Sequence, residues 1–234
     1  MPHPERPQIA ISLGGSVMMR ECEVNTDYLL QLRDFLKTWV EQYNLQAAIV
    51  TGGGPVARMR QESLRRGGET DNKVLDRIGV DVTHENAKHL ARFLHLGGIP
   101  TAYLQTLHSR RPDVSVWVTG GTKVGQTTDA VAVDWARILG YRSVVNITNT
   151  PFVYEFGPDG KTPDTTRPIY DMTDTQYLAL FGSKHIPGEN IPAGRVGIRK
   201  AKKFRVNFIV VGPDLTNLEK VFKRVEFRGT IIHP

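Results

Sequence analysis

Three glycine-rich turns, each directly after a predicted strand, contain the residues of this chain that are best suited to chemistry. The turns are Gly14-Gly15-Ser16, Gly52-Gly53-Gly54 and Gly120-Gly121-Thr122-Lys123-Val124-Gly125. Glycine lets backbone N–H groups approach phosphate oxygens, and the N-terminus of a following helix favours an anion. Tight turns that need positive φ would contain glycine as well. Because the three turns occur at equivalent strand ends, where α/β proteins bind ligands, the pattern favours phosphate binding.

A polar triplet, Thr127-Thr128-Asp129, follows the third turn, where a helix is predicted to begin. These residue types are good helix N-caps, which is the simplest interpretation. In the functional interpretation, the hydroxyl groups bind a phosphate or a base and Asp129 orients a cation or a lysine. The spacing alone leaves both interpretations open.

The usual phosphate and metal motifs are absent from the sequence. There is no G-x-x-x-x-G-K-[ST] and no G-x-G-x-x-G after a strand, which excludes a P-loop NTPase and an obvious Rossmann dehydrogenase. The seven histidines have no compact metal-ligand spacing, and Cys22 is the single cysteine. We therefore expect no metal site built from protein ligands and no internal disulfide.

Strands and helices alternate along the chain and must position these residues. Apolar runs predict strands over Gln8–Leu13, Ala47–Thr51, Ile99–Leu104, Val114–Thr119, Val144–Thr148 and Asn207–Val211, with a closing edge strand over Thr230–Ile232. Helical spacing and capping residues predict helices over Thr26–Tyr43, Pro55–Arg65, Asp71–Leu96, Asp129–Leu139, Thr173–Phe181 and Asp214–Arg224, and in the basic segment after Gly194. Gly157–Pro168 is predicted to be a loop. The alternation indicates an α/β fold, a three-layer αβα sandwich with a mainly parallel central sheet.

Composition and charge narrow the function further. The chain has 234 residues, of which 40% are hydrophobic, and its net charge is +6. No run approaches the roughly 18 apolar residues of a membrane span, and the N-terminus has no apolar core of a secretory signal. We expect a cytoplasmic protein without a membrane partner. The basic segment Arg195–Arg205 accounts for the whole net charge and fits an anionic small molecule; without interleaved aromatic residues, nucleic acid is not the expected partner.

Several segments together resemble the amino acid kinase family, and most closely its archaeal-type uridylate (UMP) kinase branch. The matching stretches are Ile11–Val17, Val50–Arg58, Asp76–Gly79, Gly120–Ala132, Thr148-Asn149, Val153-Tyr154 and Arg228–Pro234. The specific element is Gly-Gly-Thr-x-x-Gly-x-Thr-Thr-Asp-Ala-Val-Ala, which begins at Gly120. The resemblance spans nearly the whole chain; it is strong through Leu139 and patchy afterwards.

The resemblance implies a single amino acid kinase domain over residues 1–234. Its acceptor-binding lobe would cover about residues 1–142, and its ATP-binding lobe about 143–234. The implied reaction transfers the γ-phosphoryl group of ATP to UMP in pyrimidine nucleotide synthesis, by positioning and charge neutralisation. ATP would be the cofactor, with Mg²⁺ bound to it, and the partners would be small-molecule nucleotides. Members of the family form homohexamers, so a homo-oligomer is expected.

The resemblance also implies roles for individual residues. Residues that would bind UMP are Gly53, Asp76, Thr122, Gly125, Gln126, Thr127 and Thr128, with Asp76 on the sugar. Residues that would bind ATP and its phosphates are Gly14, Gly15, Ser16, Gly54, Arg58, Thr148, Asn149 and Tyr154. Residues that would be catalytic are Lys202, Asp129 and Arg58, with Asp129 orienting Lys202.

Departures from the family pattern concentrate in the ATP half. Pro151 and Phe152 replace an Asp and a Gly, and Gly157 and Gly197 each stand where an Asp is expected. Ser12 occupies a position where many members, though not all archaeal-type ones, carry a lysine.

Two hypotheses follow from these departures. Phe152 needs more room than glycine, so we expect it to reshape or fill the adenine pocket. Arg199 and Lys200 add positive charge beside Lys202, which would compensate for lost ATP contacts or create a different anion site.

Two alternatives remain open at this point. One is a kinase of another acceptor, such as isopentenyl phosphate or a carboxylate. Against it, Pro55–Arg58 contains no histidine where the isopentenyl phosphate branch usually has one, and carbamate and acetylglutamate kinases are longer. The other is a non-catalytic nucleotide-binding or storage protein with a degenerate ATP site.

Overall fold

The computed structural model describes residues 7–106, 113–182, 184 and 191–234. In chain order its strands are β1 (Gln8–Leu13), β2 (Met19–Arg20), β3 (Glu23–Val24), β4 (Gln46–Thr51), β5 (Thr101–Tyr103), β6 (Val116–Thr119), β7 (Ser143–Ile147), β8 (Val153–Phe156), β9 (Pro163–Ile169), β10 (Asp171–Thr173), β11 (Asn207–Val211) and β12 (Thr230–His233). Its helices are α1 (Gly15–Met18), α2 (Thr26–Tyr43), α3 (Gly54–Arg66), α4 (Asn72–Leu96), α5 (Thr128–Leu139), α6 (Asp174–Phe181), α7 (Arg195–Phe204) and α8 (Leu215–Phe222).

Eight strands form the central sheet, in the order β10-β12-β11-β7-β1-β4-β6-β5. Neighbours run parallel except β11 and β12, so the prediction of a mainly parallel sheet is confirmed. The prediction that Thr230–Ile232 forms an edge strand is wrong, because β10 pairs with the outer side of β12. β10 was not predicted, because its three residues are too few to show the alternation of apolar and polar side chains by which a strand is recognised.

Each face of the sheet has its own apolar layer. Along β1, Ile11 and Leu13 pack on one face beneath α2, α4 and α8, whereas Ala10 packs on the other face beneath α5, α6 and α7. Side chains of a strand alternate between faces, so one apolar run serves both layers. Trp39 lies in the first layer; Trp117 and Trp135 lie in the second, with ring centroids 6.5 Å apart.

The longest helix, α4, is continuous across Gly79. Asp71 caps it by accepting a 2.8 Å hydrogen bond from the Lys73 N–H. A Cβ on Gly79 would lie 3.0 Å from Gln61 Nε2 on α3. The glycine therefore serves the close packing of α3 on α4 and does not break the helix.

The second half of the predicted loop Gly157–Pro168 is a strand, so the prediction is wrong from Pro163 onwards. β9 pairs antiparallel with β8 in a separate two-stranded sheet, and its turn is closed by a 2.8 Å bond from the Gly157 N–H to the Thr162 carbonyl. Proline is tolerated at strand starts and on edge strands, where no donor is needed. None of the described helices combines the length and apolar character needed to cross a membrane.

Candidate functional site

The turns after β1 and β4 pack backbone against backbone. These strands are parallel neighbours in register, with Leu13 opposite Thr51. A Cβ on Gly15 would lie 2.2 Å from the Gly54 nitrogen, and one on Gly54 would lie 2.4 Å from the Gly15 carbonyl carbon. Gly54 also has a φ of +62°. Both glycines are therefore required by the fold, which leaves two bare backbone turns together at the carboxyl edge of the sheet.

The third turn is held by α4. The Gly121 N–H donates a 2.7 Å hydrogen bond to Thr83 Oγ1, and the Gly125 N–H donates a 2.8 Å bond to Asp76 Oδ2. Gly125 has a φ of +76°, a conformation that favours glycine. Asp76 thus fixes the tip of the loop while the residue itself lies at the wall of a cavity.

That cavity, which we call the Asp129 cavity, has a volume of about 230 Å³ and lies between the glycine turns, α4 and the starts of α5 and α7. It brings together many of the residues expected to bind nucleotide, namely Gly53, Gly54, Arg58, Asp76, Gln126, Thr127, Thr128 and Asp129. Its walls carry three cations, from Arg58, Lys123 and Arg195, against the two carboxylates. An excess of positive charge beside bare backbone suits a phosphate group.

Asp129 lies where β1, α5 and α7 meet. Its Oδ1 accepts a 2.6 Å hydrogen bond from the Ser12 hydroxyl, and its Oδ2 accepts a 2.5 Å bond from the Gly194 N–H. Burial raises the pKa of Asp129 above its ordinary value of 3.8, while these two hydrogen bonds act in the opposite direction. The Thr127 hydroxyl caps α5 by accepting a hydrogen bond from the Ala130 N–H, which confirms the capping interpretation for this residue. Thr127 and Thr128 also line the Asp129 cavity.

A second cavity adjoins the first. The Tyr154 cavity, with a volume of about 490 Å³, lies between the β8–β9 hairpin and α6. Its wall is aromatic at Tyr154, Phe156 and Phe181 and carries an exposed cation at Lys161. The expected ATP-binding residues Thr148 and Tyr154 both line it. Aromatic faces and a nearby cation suit a planar base that carries phosphates.

Phe152 does not fill the Tyr154 cavity. The other half of that expectation, that Phe152 reshapes the adenine pocket, stays a prediction. The side chain is 5% exposed and packs edge to face on Tyr170, with ring centroids 5.2 Å apart. It lies outside the residues that line the Tyr154 cavity. Gly157 forms part of the hairpin turn, where its N–H bonds to the Thr162 carbonyl.

Asp129 does not orient Lys202, which corrects a second expectation. Lys202 Nζ instead contacts Asp174 Oδ1 at 2.8 Å and Thr175 Oγ1 at 3.0 Å. Lys202 is not among the described residues that line either cavity. Gly197 allows α5 and α7 to approach closely, since a Cβ there would lie 2.7 Å from the Cβ of Asp129.

The remaining predicted residues lie around these cavities. Thr122 belongs to the third turn, where its hydroxyl donates to Gln126 Oε1 at 3.0 Å. The Gly14 N–H bonds to the Ile147 carbonyl at 2.8 Å. Ser16 and Asn149 line a separate cavity of about 880 Å³, although the Ser16 hydroxyl also accepts a 3.1 Å bond from Arg58.

Two charged residues were missed or placed differently by the sequence interpretation. Arg195 lines both the Asp129 cavity and the Tyr154 cavity; the signal that could have identified it is its position as the first residue of the basic helix. Lys200 forms an ion pair with Asp134, which also accepts a 3.0 Å hydrogen bond from Gln126. Lys200 therefore supports the third turn through Asp134.

Comparisons with known proteins identify the family. No protein-family model matches the chain. The chain is 31% identical to the uridylate kinase of Thermoplasma volcanium over 219 residues, and 30% identical to that of Thermoplasma acidophilum, with 92% of both chains covered in each case. The crystal structure of uridylate kinase from Archaeoglobus fulgidus has the same fold, with a TM-score of 0.75 and 24% identity over 96% of this chain and 100% of that one. The α/β fold and the resemblance to the archaeal branch are thereby confirmed, and the chain belongs to the uridylate kinase family.

Proposed function

We propose that the protein is a UMP kinase, which transfers the γ-phosphoryl group of ATP to UMP and yields ADP and UDP for pyrimidine nucleotide synthesis. The observation that carries the proposal is the convergence of Gly53, Asp76, Gln126, Thr127 and Thr128 on one cationic cavity beside an aromatic one. The similarity to uridylate kinases supports the same acceptor.

In this proposal UMP occupies the Asp129 cavity. The Asp76 carboxylate accepts hydrogen bonds from sugar hydroxyls, while the start of α5 at Thr127 and Thr128 binds the base or phosphate. Thr122 and Gly125 act by shaping the loop. Arg58 and Lys123 attract the phosphate, since both cations line this cavity.

ATP occupies the Tyr154 cavity in the same proposal, and its phosphates reach towards Gly14, Gly15 and Gly54. Ser16 and Asn149 lie beyond this path. Mg²⁺ would neutralise charge on the phosphates and would be held by them and by water, as is usual for this ion. Within the described ranges, no group of three His, Cys, Asp or Glu residues could hold a metal ion.

The division into an acceptor lobe over about residues 1–142 and an ATP lobe over about 143–234 remains part of the proposal. So do a homohexameric assembly and a cytoplasmic location. Sedimentation velocity of the purified chain tests the assembly, and a monomer would contradict it.

A panel assay tests the function. ADP release from Mg-ATP would be measured with UMP, CMP, AMP, isopentenyl phosphate, carbamate and no acceptor. We expect release that depends on UMP. Release with isopentenyl phosphate or carbamate instead would favour the alternative acceptors. If no acceptor gives ADP release while UMP still raises the melting temperature, the result would favour the alternative of a non-catalytic nucleotide-binding protein.

A further inference from the structure

We propose that Arg195 is a catalytic residue that contacts the phosphates of both nucleotides during transfer, an inference that rests on the proposed function. Arg195 and Ile191 are the described residues that line both the Asp129 cavity and the Tyr154 cavity. Of these two, Arg195 carries a charge. A phosphoryl group that passes between the cavities must pass the wall that they share.

The position of Arg195 is fixed by its neighbours. The residue is 8% exposed, and its Nε donates a 2.7 Å hydrogen bond to the Phe181 carbonyl. The preceding Gly194 N–H is held by Asp129, and the Ala193 N–H is held at 2.8 Å by the hydroxyl of the fully buried Tyr177. The guanidinium group is thus preorganised, which is what electrostatic stabilisation of a transition state needs.

Other nearby cations are less suited to this position. Neither Lys202 nor Lys200 is among the described residues that line the Asp129 cavity or the Tyr154 cavity. Arg58 and Lys123 line the Asp129 cavity only, whereas Lys161 lines the Tyr154 cavity only. Ser12 supplies no charge on β1.

The chemistry requires a cation at the boundary. A phosphate oxygen of UMP attacks the γ-phosphorus of ATP and forms the new P–O bond, while the bond from that phosphorus to the β–γ bridging oxygen breaks. The bridging oxygen leaves with the electron pair as part of ADP, and no proton transfer is required. Negative charge therefore moves across the boundary between the cavities. A guanidinium group is always charged and presents its donors in a plane that matches phosphate oxygens.

Turnover and binding separate this role from a structural one. Arg195→Met and Arg195→Lys would be compared with Lys203→Met, a control with the same loss of charge at an exposed position of α7. We expect Arg195→Met to lower kcat by about 100-fold or more, within the scale known for arginines in phosphoryl transfer. Arg195→Lys should recover part of that loss. Affinity for UMP alone should change by less than about threefold, since the variant removes a contact that matters most in the transition state.

Binding of a bisubstrate analogue, adenosine and uridine joined by five phosphates, gives a readout without turnover. Arg195→Met should bind it at least about tenfold more weakly than wild type, whereas Lys203→Met should bind it unchanged. An Arg195→Met variant that keeps wild-type activity and wild-type binding of the analogue would overturn this inference but not the proposed function. A wild type that neither turns over UMP nor binds the analogue would overturn the proposed function and this inference with it. A folded Arg195→Met that loses UMP affinity in proportion to kcat would indicate a structural residue instead.

Discussion

The Ser12 hydroxyl donates a 2.6 Å hydrogen bond to Asp129 Oδ1 and joins the middle of the sheet to the first turn of α5. The other carboxylate oxygen accepts from the Gly194 N–H, just before α7. Ser12 therefore places a neutral donor against the carboxylate. Asp129 serves as the junction of three elements around the proposed acceptor site.

Stability should depend on pH through Asp129. Burial raises the pKa of this carboxyl above 3.8, so the folded state retains the proton to a higher pH than the unfolded chain does. The contribution of Asp129 to stability therefore falls as the pH rises from 3.8 through the folded-state pKa, and is constant above it. The free energy of unfolding of wild type and of Asp129→Asn would be measured in urea between about pH 4 and pH 8. As the pH rises, wild type should lose stability relative to the variant. A difference that does not change with pH would contradict this.

The contact between the two glycine turns can be tested with a matched pair of variants. Gly54 and Gly140 both have positive φ, at +62° and +76°, but a Cβ meets the backbone of Gly15 in the first case and nothing within 4 Å in the second. Gly140→Ala should cost about 1–2 kcal/mol, for the left-handed conformation alone. Gly54→Ala should cost about 1–3 kcal/mol more, for the overlap. Equal losses in chemical denaturation would show that the two turns separate easily.

Asp76 should control affinity for UMP. Asp76→Ala removes a carboxylate that lines the cavity and holds the Gly125 N–H. Hydrogen bonds to charged groups contribute about 1.5–3 kcal/mol, so we expect calorimetry to show UMP binding roughly 10- to 100-fold weaker. Asp81→Ala, at an exposed position of the same helix, is the control and should bind normally. An Asp76→Ala variant with normal affinity for UMP would contradict the placement of UMP in this cavity.

The pair of Lys202 and Asp174 should contribute to stability. Asp174 is 2% exposed, and its Oδ2 has no described hydrogen-bond partner, so Lys202 is the cation that balances it. Lys202→Met should cost about 1–3 kcal/mol by leaving a buried carboxylate uncompensated. Adding Asp174→Asn should recover part of that loss. A Lys202→Met variant of full stability that loses turnover would instead support the catalytic role implied by the family resemblance.

The fold was predictable where local patterns are long. The helix over Thr26–Tyr43 was predicted to the residue, because its apolar spacing covers five turns and Asn25 caps it. Gly140 ends α5 with positive φ, a common end of a helix at glycine. β9 was missed because prolines and glycines dominate its local signal, while its pairing with β8 depends on a partner strand that the composition does not reveal.

The acceptor half of the candidate site came from the family resemblance and not from spacing alone. Gly53, Asp76 and Thr127, which the resemblance assigned to UMP, line one cavity. In the ATP half of the candidate site, the position of a side chain depends on contacts with side chains that are distant in sequence. The burial of Phe152 against Tyr170 and the capture of Lys202 by Asp174 are such contacts. No spacing within one sequence reveals them.

The distribution of tryptophans provides the protein with built-in spectroscopic probes. All three are nearly inaccessible to water, at 5% for Trp39, 3% for Trp117 and 1% for Trp135. Trp39 reports on one face of the sheet, whereas the Trp117–Trp135 pair reports on the face that carries α5. Indole emission shifts to longer wavelength on contact with water, so variants that retain a single indole would show whether the two helical layers melt together or in sequence.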